Sequence, residues 1–151
     1  MPTHQATITI TAAVQADRVE SLRAMRPEAR LLELVHRLDR ETSGVLLVAK
    51  KRAALVALHE AMRTRAMDKR YYAGVAGRFR NELQRVRAAL SKRTTAAGQK
   101  RVSVSEAGQE AETVFRRLAR NDEFSLLEAE LLTGRTHQIR VHLAHIGHPV
   151  L

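Results

Sequence analysis

The chain has 151 residues, contains no cysteine and carries a formal net charge of +10 at pH 7. Without cysteine it forms neither disulfides nor thiolate metal sites, and no apolar stretch approaches the ~18 residues that a membrane span needs. The 26 Lys and Arg residues against 16 Asp and Glu residues favour a polyanionic partner, first of all a nucleic acid. An arginine-rich composition without such a partner is the alternative explanation of this charge.

The length fits one domain, residues 1–151, and the N-terminus has no basic segment followed by an apolar one, so we expect a cytoplasmic protein. In chain order the first half predicts these elements: a strand at 5–14, a helix with Asp17 as N-cap that ends before Pro27, an apolar run at 31–35, a strand at 45–49 and a helix at 51–67. The last helix presents an apolar stripe at Leu55, Leu58 and Met62.

The second half predicts these elements: a strand at 69–77, a surface loop at 91–99, strands at 112–119 and 124–132 and a helix at 136–146. Asn121 and Asp122 mark a turn between the last two strands, and Gly147 ends the helix. Because strands and helices mix without a regular βαβ alternation, we expect an α+β fold with a mainly antiparallel mixed sheet flanked by helices.

The most informative segment is HRLDRETSG at 36–44, which sets one carboxylate among cations in a loop that leads to the apolar strand at 45–49. Arg37 and Arg40 flank Asp39, and neighbouring cations favour the ionised form of a carboxylate. Such an aspartate is a nucleophile, a base or half of a structural ion pair, and a loop salt bridge is the plainest of these readings. The segment differs from a kinase catalytic loop, because Leu38 separates the arginine from the aspartate.

A second polar segment, TGRTHQIRVH at 133–142, gathers two arginines, two histidines and a glutamine around a helix start. Backbone N–H groups and arginines at such a start favour a bound anion, whereas an exposed polar helix face is the simpler alternative. Four histidines lie in or just after this segment. Since no two of them are spaced i, i+4 and no acid or cysteine completes a set, we expect no metal site.

Tyr71 and Tyr72 are adjacent on a predicted strand and therefore point to opposite faces of the sheet. Only one of them can serve a cleft. With two tyrosines, three phenylalanines and no tryptophan in the whole chain, a broad base-stacking platform is not expected.

Three blocks of the sequence, in this order, resemble the RluA/RluC/RluD-type pseudouridine synthases. They are LVHRLDRETSGVLLVAK at 34–50, KRYYA at 69–73, and TGRTHQIRVHLA at 133–144 with GHP at 147–149. Between them, RVSV at 101–104 and ETVF at 112–115 are most similar to the RluC subgroup.

The resemblance implies isomerisation of uridine in structured RNA, most of all large-subunit ribosomal RNA: uracil leaves C1′ and is rejoined through C5, without a cofactor. It implies that Asp39 acts at C1′, that Tyr71 stacks on uracil and takes the C5 proton, and that Arg140 pairs with the aspartate. Arg37 would enter the stack that the flipped nucleotide leaves, a step that enzymes acting on bases in helices require. The blocks supply these substrate- and RNA-binding candidates: His36, Arg37, Thr42, Lys69, Arg135, His137 and Gln138.

The sequence departs from the family pattern at both ends. It lacks the Asn-Lys-Pro-x-Gly motif and an N-terminal S4-type RNA-binding domain, and it stops at Leu151, where relatives continue with further strands. We therefore expect a catalytic domain that is truncated at both ends. A catalytically silent RNA-binding protein that retains the synthase fold is the alternative hypothesis, and a basic structural protein of the ribosome leaves the combination of Asp39, Tyr71 and Arg140 unexplained.

Overall fold

The computed structural model describes residues 9–10, 15–39, 41–95 and 98–151. These residues fall in two compact units, Met1–Ala66 and Met67–Leu151. All the strand pairs in the described residues are antiparallel, and helices accompany them in both units, so the expected α+β class is confirmed. Of the helices that these residues form, none has the length and apolar character that crossing a membrane requires.

The first unit contains short strands and two helices. Its elements are β1 (Thr9–Ile10), α1 (Gln15–Met25), β2 (Glu33–Leu34), β3 (Gly44–Val45), β4 (Val48–Ala49) and α2 (Arg52–Arg63). Strand β1 pairs with β3, and β2 pairs with β4. The predicted stripe on α2 is confirmed: Leu55 is buried against Val35 and Ala49, with Leu58 and Met62 packed beside it.

Three predictions for this unit need correction. The expected strand at 45–49 is two short strands, since Gly44–Val45 pairs with β1 and Val48–Ala49 pairs with β2. Between them, the N–H of Leu47 donates to the ring of His36. Helix α1 begins at Gln15, so position 17 lies inside the helix and is not its N-cap. Helix α2 ends at Arg63, four residues before the predicted end. Two residues beyond it, Arg65 adopts a left-handed φ of 59°.

Only part of the predicted N-terminal strand can be compared with the structure. Thr9–Ile10 forms β1, whereas 5–8 and 11–14 lie outside the described residues. Arg40, one of the cations that flank the aspartate in the sequence, is outside them as well.

The second unit is built on a four-stranded antiparallel sheet in the order β5-β10-β9-β6, beside a separate hairpin of β7 and β8. Its elements are β5 (Arg70–Ala76), β6 (Leu83–Arg87), β7 (Leu90–Thr94), β8 (Lys100–Val104), β9 (Glu112–Arg120), β10 (Phe124–Leu131) and α3 (Gln138–His145). Helix α3 packs on the sheet through Leu143, which is 0% exposed together with Val75, Phe115 and Leu127.

The predicted loop at 91–99 is wrong at 91–94, which belong to a strand. Residues 90–94 form β7, which pairs with β8 so that Ser91 lies opposite Ser103 and Arg93 opposite Arg101. Val102 and Val104 alternate with polar residues in β8, but after Leu90 the residues of β7 are all polar, so β7 lacks the alternation that indicates a half-buried strand. The predicted strands at 69–77, 112–119 and 124–132 and the predicted helix at 136–146 match β5, β9, β10 and α3 to within two residues at each end. Strands β6 and β8 were not predicted.

Candidate active site

In the first unit, the segment around Asp39 is held by hydrogen bonds and by one buried side chain. The N–H of Leu47 donates to His36 Nε2 (3.2 Å), so Nδ1 carries the ring proton and faces the carbonyl of Arg37 at 3.4 Å. The N–H of Thr42 donates to the carbonyl of Asp39 (2.9 Å). Leu38 is buried, and a loop fixed in this way presents its side chains from a defined backbone.

The site candidates of this loop differ in exposure. Arg37 is exposed, whereas His36, Asp39 and Thr42 are half-buried. Because both ring nitrogens of His36 have partners in the loop, this histidine braces the loop. Arg37, which is exposed, has a planar guanidinium of the kind that can contact a phosphate or stack on a base.

In the second unit, β5 carries two further candidates. Tyr71 is half-buried and packs on the core that contains Ala73 and Val75, whereas Tyr72 is 74% exposed. The predicted opposite orientation of the two tyrosines is confirmed. Lys69, just before the strand, accepts the N–H of Leu131 through its carbonyl at 3.0 Å.

The turn between β10 and α3 brings several candidates together. Lys69 Nζ lies 3.5 Å from the place that a Cβ of Gly134 would occupy, so the lysine reaches the turn. His137 adopts a left-handed φ of 53° and makes no side-chain cap on the helix. Non-glycine residues in this conformation cost about 1–3 kcal/mol and are concentrated at functional sites.

Gln138 occupies the first position of α3 and is only 2% exposed. Its Oε1 accepts hydrogen bonds from Thr133 Oγ1 (2.8 Å) and from the N–H of Arg135 (2.9 Å). Its Nε2 donates to the carbonyl of Glu112 (2.9 Å) and to Thr113 Oγ1 (2.9 Å). The amide therefore has a partner for each of its hydrogen-bonding positions inside the protein.

The cationic candidates of this segment lie nearer the surface than Gln138. Arg135 and His137 are exposed and Arg140 is half-buried. Arg135 Nε donates to the carbonyl of Glu110 (3.0 Å). Asp39 belongs to the first unit, whereas Tyr71 and Arg140 belong to the second.

Sequence analysis missed two buried polar residues next to this turn. Thr113 and His142 are both 0% exposed. His142 Nδ1 is 3.0 Å from Thr113 Oγ1, and its Nε2 is 3.0 Å from the carbonyl of Ala88. Burial lowers the pKa of His142 below its ordinary value.

The apolar pattern of the helix does indicate that His142 is buried. Ile139, His142, Leu143 and Ile146 follow the spacing i, i+3, i+4, i+7 of a single buried face. Within the described ranges, no three His, Asp or Glu side chains are grouped closely enough to hold a metal ion.

The comparisons with known proteins agree with these motifs. A family model described as RNA pseudouridylate synthase matches residues 1–145, which is nearly the whole chain. The chain belongs to this family.

Relatives of this chain include three proteins named ribosomal large subunit pseudouridine synthase C. Those of Yersinia pestis and Escherichia coli are 52% identical to it over 132 residues, and that of Haemophilus influenzae is 50% identical over the same length. The alignments cover 87% of this chain and 41% of each relative. The chain thus spans about two fifths of the length of these relatives.

Solved structures of the same family have the same fold. Human RNA pseudouridylate synthase domain containing 1 superposes with a TM-score of 0.77 at 25% identity, over 95% of this chain and 62% of that one. Human RNA pseudouridylate synthase domain containing 4 gives 0.74 at 28% identity, over 94% and 60%. The resemblance read from the three motif blocks is confirmed.

Proposed function

We propose that this chain isomerises uridine to pseudouridine in large-subunit ribosomal RNA. The observation that carries the proposal is the identity of 52% over 132 residues to a large-subunit synthase of Yersinia pestis, in a chain that retains all three motif blocks. A cytoplasmic location goes with this proposal, since ribosomal RNA is its substrate.

In the proposed reaction the bond from C1′ of the ribose to N1 of uracil breaks, and a bond from C1′ to C5 forms. C5 loses its proton and the freed N1 gains one, so product and substrate have the same atoms and oxidation state, and no cofactor or co-reactant is needed. Asp39 acts at C1′ as nucleophile or as stabiliser of the developing charge. Tyr71 stacks on uracil and takes the C5 proton, and Arg140 is the cation that keeps the reacting carboxylate ionised.

The substrate must leave the helical stack before this chemistry, at a cost of a few kcal/mol. Arg37 is exposed and has the planar guanidinium that can stack in the vacated space and contact a phosphate. The net charge of +10 supports the same proposal, because a strongly basic surface holds an RNA backbone.

The remaining candidates are proposed as contacts to the RNA. Those on exposed or half-buried positions are Thr42, Lys69, Arg135 and His137, whereas His36, whose ring nitrogens both have partners in the loop, is proposed to act by holding the loop that carries Arg37. Lys69 and Arg135 carry the charge that binds phosphate, and the reach of Lys69 Nζ toward Gly134 places one of these cations at the turn.

The experiment that tests the substrate class is the mapping of pseudouridine in transcribed RNA. Unmodified large-subunit and small-subunit ribosomal RNA are incubated separately with the chain, and pseudouridine is located by carbodiimide-dependent stops of reverse transcription. We expect discrete stops in the large-subunit RNA alone. Tight, salt-dependent binding of RNA without any new stop contradicts the proposal and favours the silent RNA-binding protein, and stops confined to small-subunit RNA contradict the substrate class.

A further inference from the structure

Five groups beside α3 form one continuous, uncharged hydrogen-bond chain in the interior. It runs from Thr133 through Gln138, Thr113 and His142 to the carbonyl of Ala88, with every step between 2.8 and 3.0 Å. Thr113, Gln138 and His142 are each 2% exposed or less. The chain joins four parts of the unit: the turn after β10, helix α3, the start of β9, and the segment between β6 and β7.

The direction of each hydrogen bond follows from its partners. The N–H of Arg135 can only donate and the carbonyl of Glu112 can only accept, so the amide orientation of Gln138 is fixed. Thr113 Oγ1 accepts from Gln138 Nε2, and its hydroxyl proton is then directed to His142 Nδ1. The carbonyl of Ala88 requires the proton of the neutral imidazole to lie on Nε2.

This chain of bonds fixes the backbone that carries the cationic candidates. Gln138 closes the turn of residues 135–138 at both ends, since its N–H donates to the carbonyl of Arg135 (3.2 Å) and its Oε1 accepts the N–H of the same residue. His137, in its left-handed conformation, lies inside this closed turn. Arg140 follows two residues later on the same helix.

We propose that Gln138 is a positioning residue that, through Thr113 and His142, holds the turn 133–137 and Arg140 in the geometry of the reaction. The inference rests on the proposed function. It replaces the RNA contact that the sequence predicted for Gln138, because an amide with four internal partners and 2% exposure has nothing left to offer an RNA. Hydrogen-bonded supports of this kind fix reacting groups in other sites, where small misplacements are costly.

The test uses Thr113, which cannot touch RNA at 0% exposure. Thr113→Val keeps the shape and removes the hydroxyl that links Gln138 to His142, and Thr113→Ser restores that hydroxyl. Thr64→Val, at the exposed end of α2, is the matched control. Each full-length variant is measured for folding by circular dichroism, for RNA affinity, and for the single-turnover rate of pseudouridine formation.

We expect Thr113→Val to fold, to bind RNA and to react about tenfold more slowly, with Thr113→Ser and Thr64→Val close to the wild-type rate. A wild-type rate in Thr113→Val overturns the inference. Equal impairment of the Ser and Val variants overturns it too, because packing would then matter and the hydrogen bond would not. If Thr113→Val does not fold, Gln138→Glu takes its place, since it keeps the size but removes both Nε2 donors, and the same slow rate is expected.

The wild-type chain supplies a readout that needs no activity. Two-bond ¹H–¹⁵N correlation should show His142 as a neutral imidazole protonated on Nε2, and the amide proton of Arg135 should exchange slowly. Protonation on Nδ1 overturns the network. If the wild-type chain converts no uridine, the proposed function fails, and faster exchange of the Arg135 amide in Thr113→Val still decides whether the network holds the turn.

Discussion

Asp39 depends on its own loop for its position, because regular strand pairing is brief around it. The ring of His36 takes the place of a strand partner for Leu47, the N–H of Thr42 closes the turn at Asp39, and Leu38 anchors the segment in the interior. The side chain of His36 thus supplies a hydrogen-bond acceptor that a neighbouring strand would otherwise supply. A change at His36 is therefore expected to act on the loop before it acts on any bound RNA.

The two neighbouring tyrosines allow a matched comparison at the same scale. Tyr71→Phe keeps the aromatic ring that stacks and removes the hydroxyl, so we expect the rate of pseudouridine formation to fall about 100-fold with little change in RNA affinity. Tyr72→Phe is the control, because Tyr72 is on the opposite face and 74% exposed. Single-turnover rates and filter-binding affinities measure the two effects, and equal rates in the two variants would move the proton transfer to another residue.

His142 gives the stability of the fold a dependence on pH. Burial lowers its pKa below the ordinary 6.5, so it stays neutral in the folded chain while the unfolded chain takes up a proton as the pH falls through about 6.5. The unfolded state then binds more protons, and the free energy of unfolding falls as the pH drops through this range. Once the pH is below the lowered pKa of His142 in the folded chain, both states hold this proton, and the contribution of His142 to the decline ends.

Denaturant unfolding at a series of pH values checks this prediction. His142→Gln should lose the part of the decline that His142 contributes, whereas His145→Gln, at an exposed position on the same helix, should keep nearly all of it. An unchanged decline in His142→Gln would assign the pH dependence to other groups.

At the scale of elements, the hairpin of β9 and β10 forms the centre of the sheet, and its turn is closed by one side chain. Asn121 Oδ1 accepts the N–H groups of Glu123 (2.9 Å) and Phe124 (2.6 Å), and the N–H of Asn121 donates to the carbonyl of Phe124 (2.9 Å). Asparagine favours such turns because its side chain bonds to backbone N–H groups two and three residues ahead.

Asn121→Ala should therefore lower the free energy of unfolding by about 1 kcal/mol. Asn81→Ala is the matched control, since the Asn81 amide bonds only to the side chain of Gln84 at the surface, and it should cost less than about 0.5 kcal/mol. Both values come from equilibrium unfolding in urea. A loss no greater than that of the control would show that the turn does not depend on the asparagine.

The elements that could be predicted are those whose apolar pattern or bounding turn residues favour one kind of secondary structure. The strands at 70–76, 112–120 and 124–131 are bounded by turn residues, and α3 carries a regular apolar stripe. The hairpin of β7 and β8 could not be predicted, because Leu90 is the one apolar residue among the five residues of β7. The strand β7 is therefore specified by its pairing with β8 rather than by an alternating pattern in its own sequence.

The residues of the candidate site likewise include some that could be predicted from the sequence and some that could not. The motif blocks point to Asp39, Tyr71 and Arg140 through their resemblance to a family. The internal roles of Thr113 and His142 could not be read from the sequence, because a buried polar side chain is recognised by partners that are 25 or more residues away along the chain.

At the scale of the whole molecule, the charge and the motifs point to the same partner. The net charge of +10, which already counts every acid, attracts any polyanion. Several of the arginines have an acidic partner nearby: Glu128 contacts Arg70 and Arg116, and Glu112 contacts Arg85 and Arg87. Charge alone would suit a silent binder as well as an enzyme. A reaction that depends on the carboxylate of Asp39 distinguishes an enzyme from a silent RNA-binding protein.

The most direct measurement is the release of tritium from RNA labelled at C5 of uridine, by the wild-type chain and by its Asp39→Asn variant. Asparagine keeps the size of the side chain and removes its charge. We expect release by the wild type and none by the variant, with RNA affinity retained in both. Equal release by Asp39→Asn, or RNA binding by the folded wild-type chain without any release, would contradict this expectation.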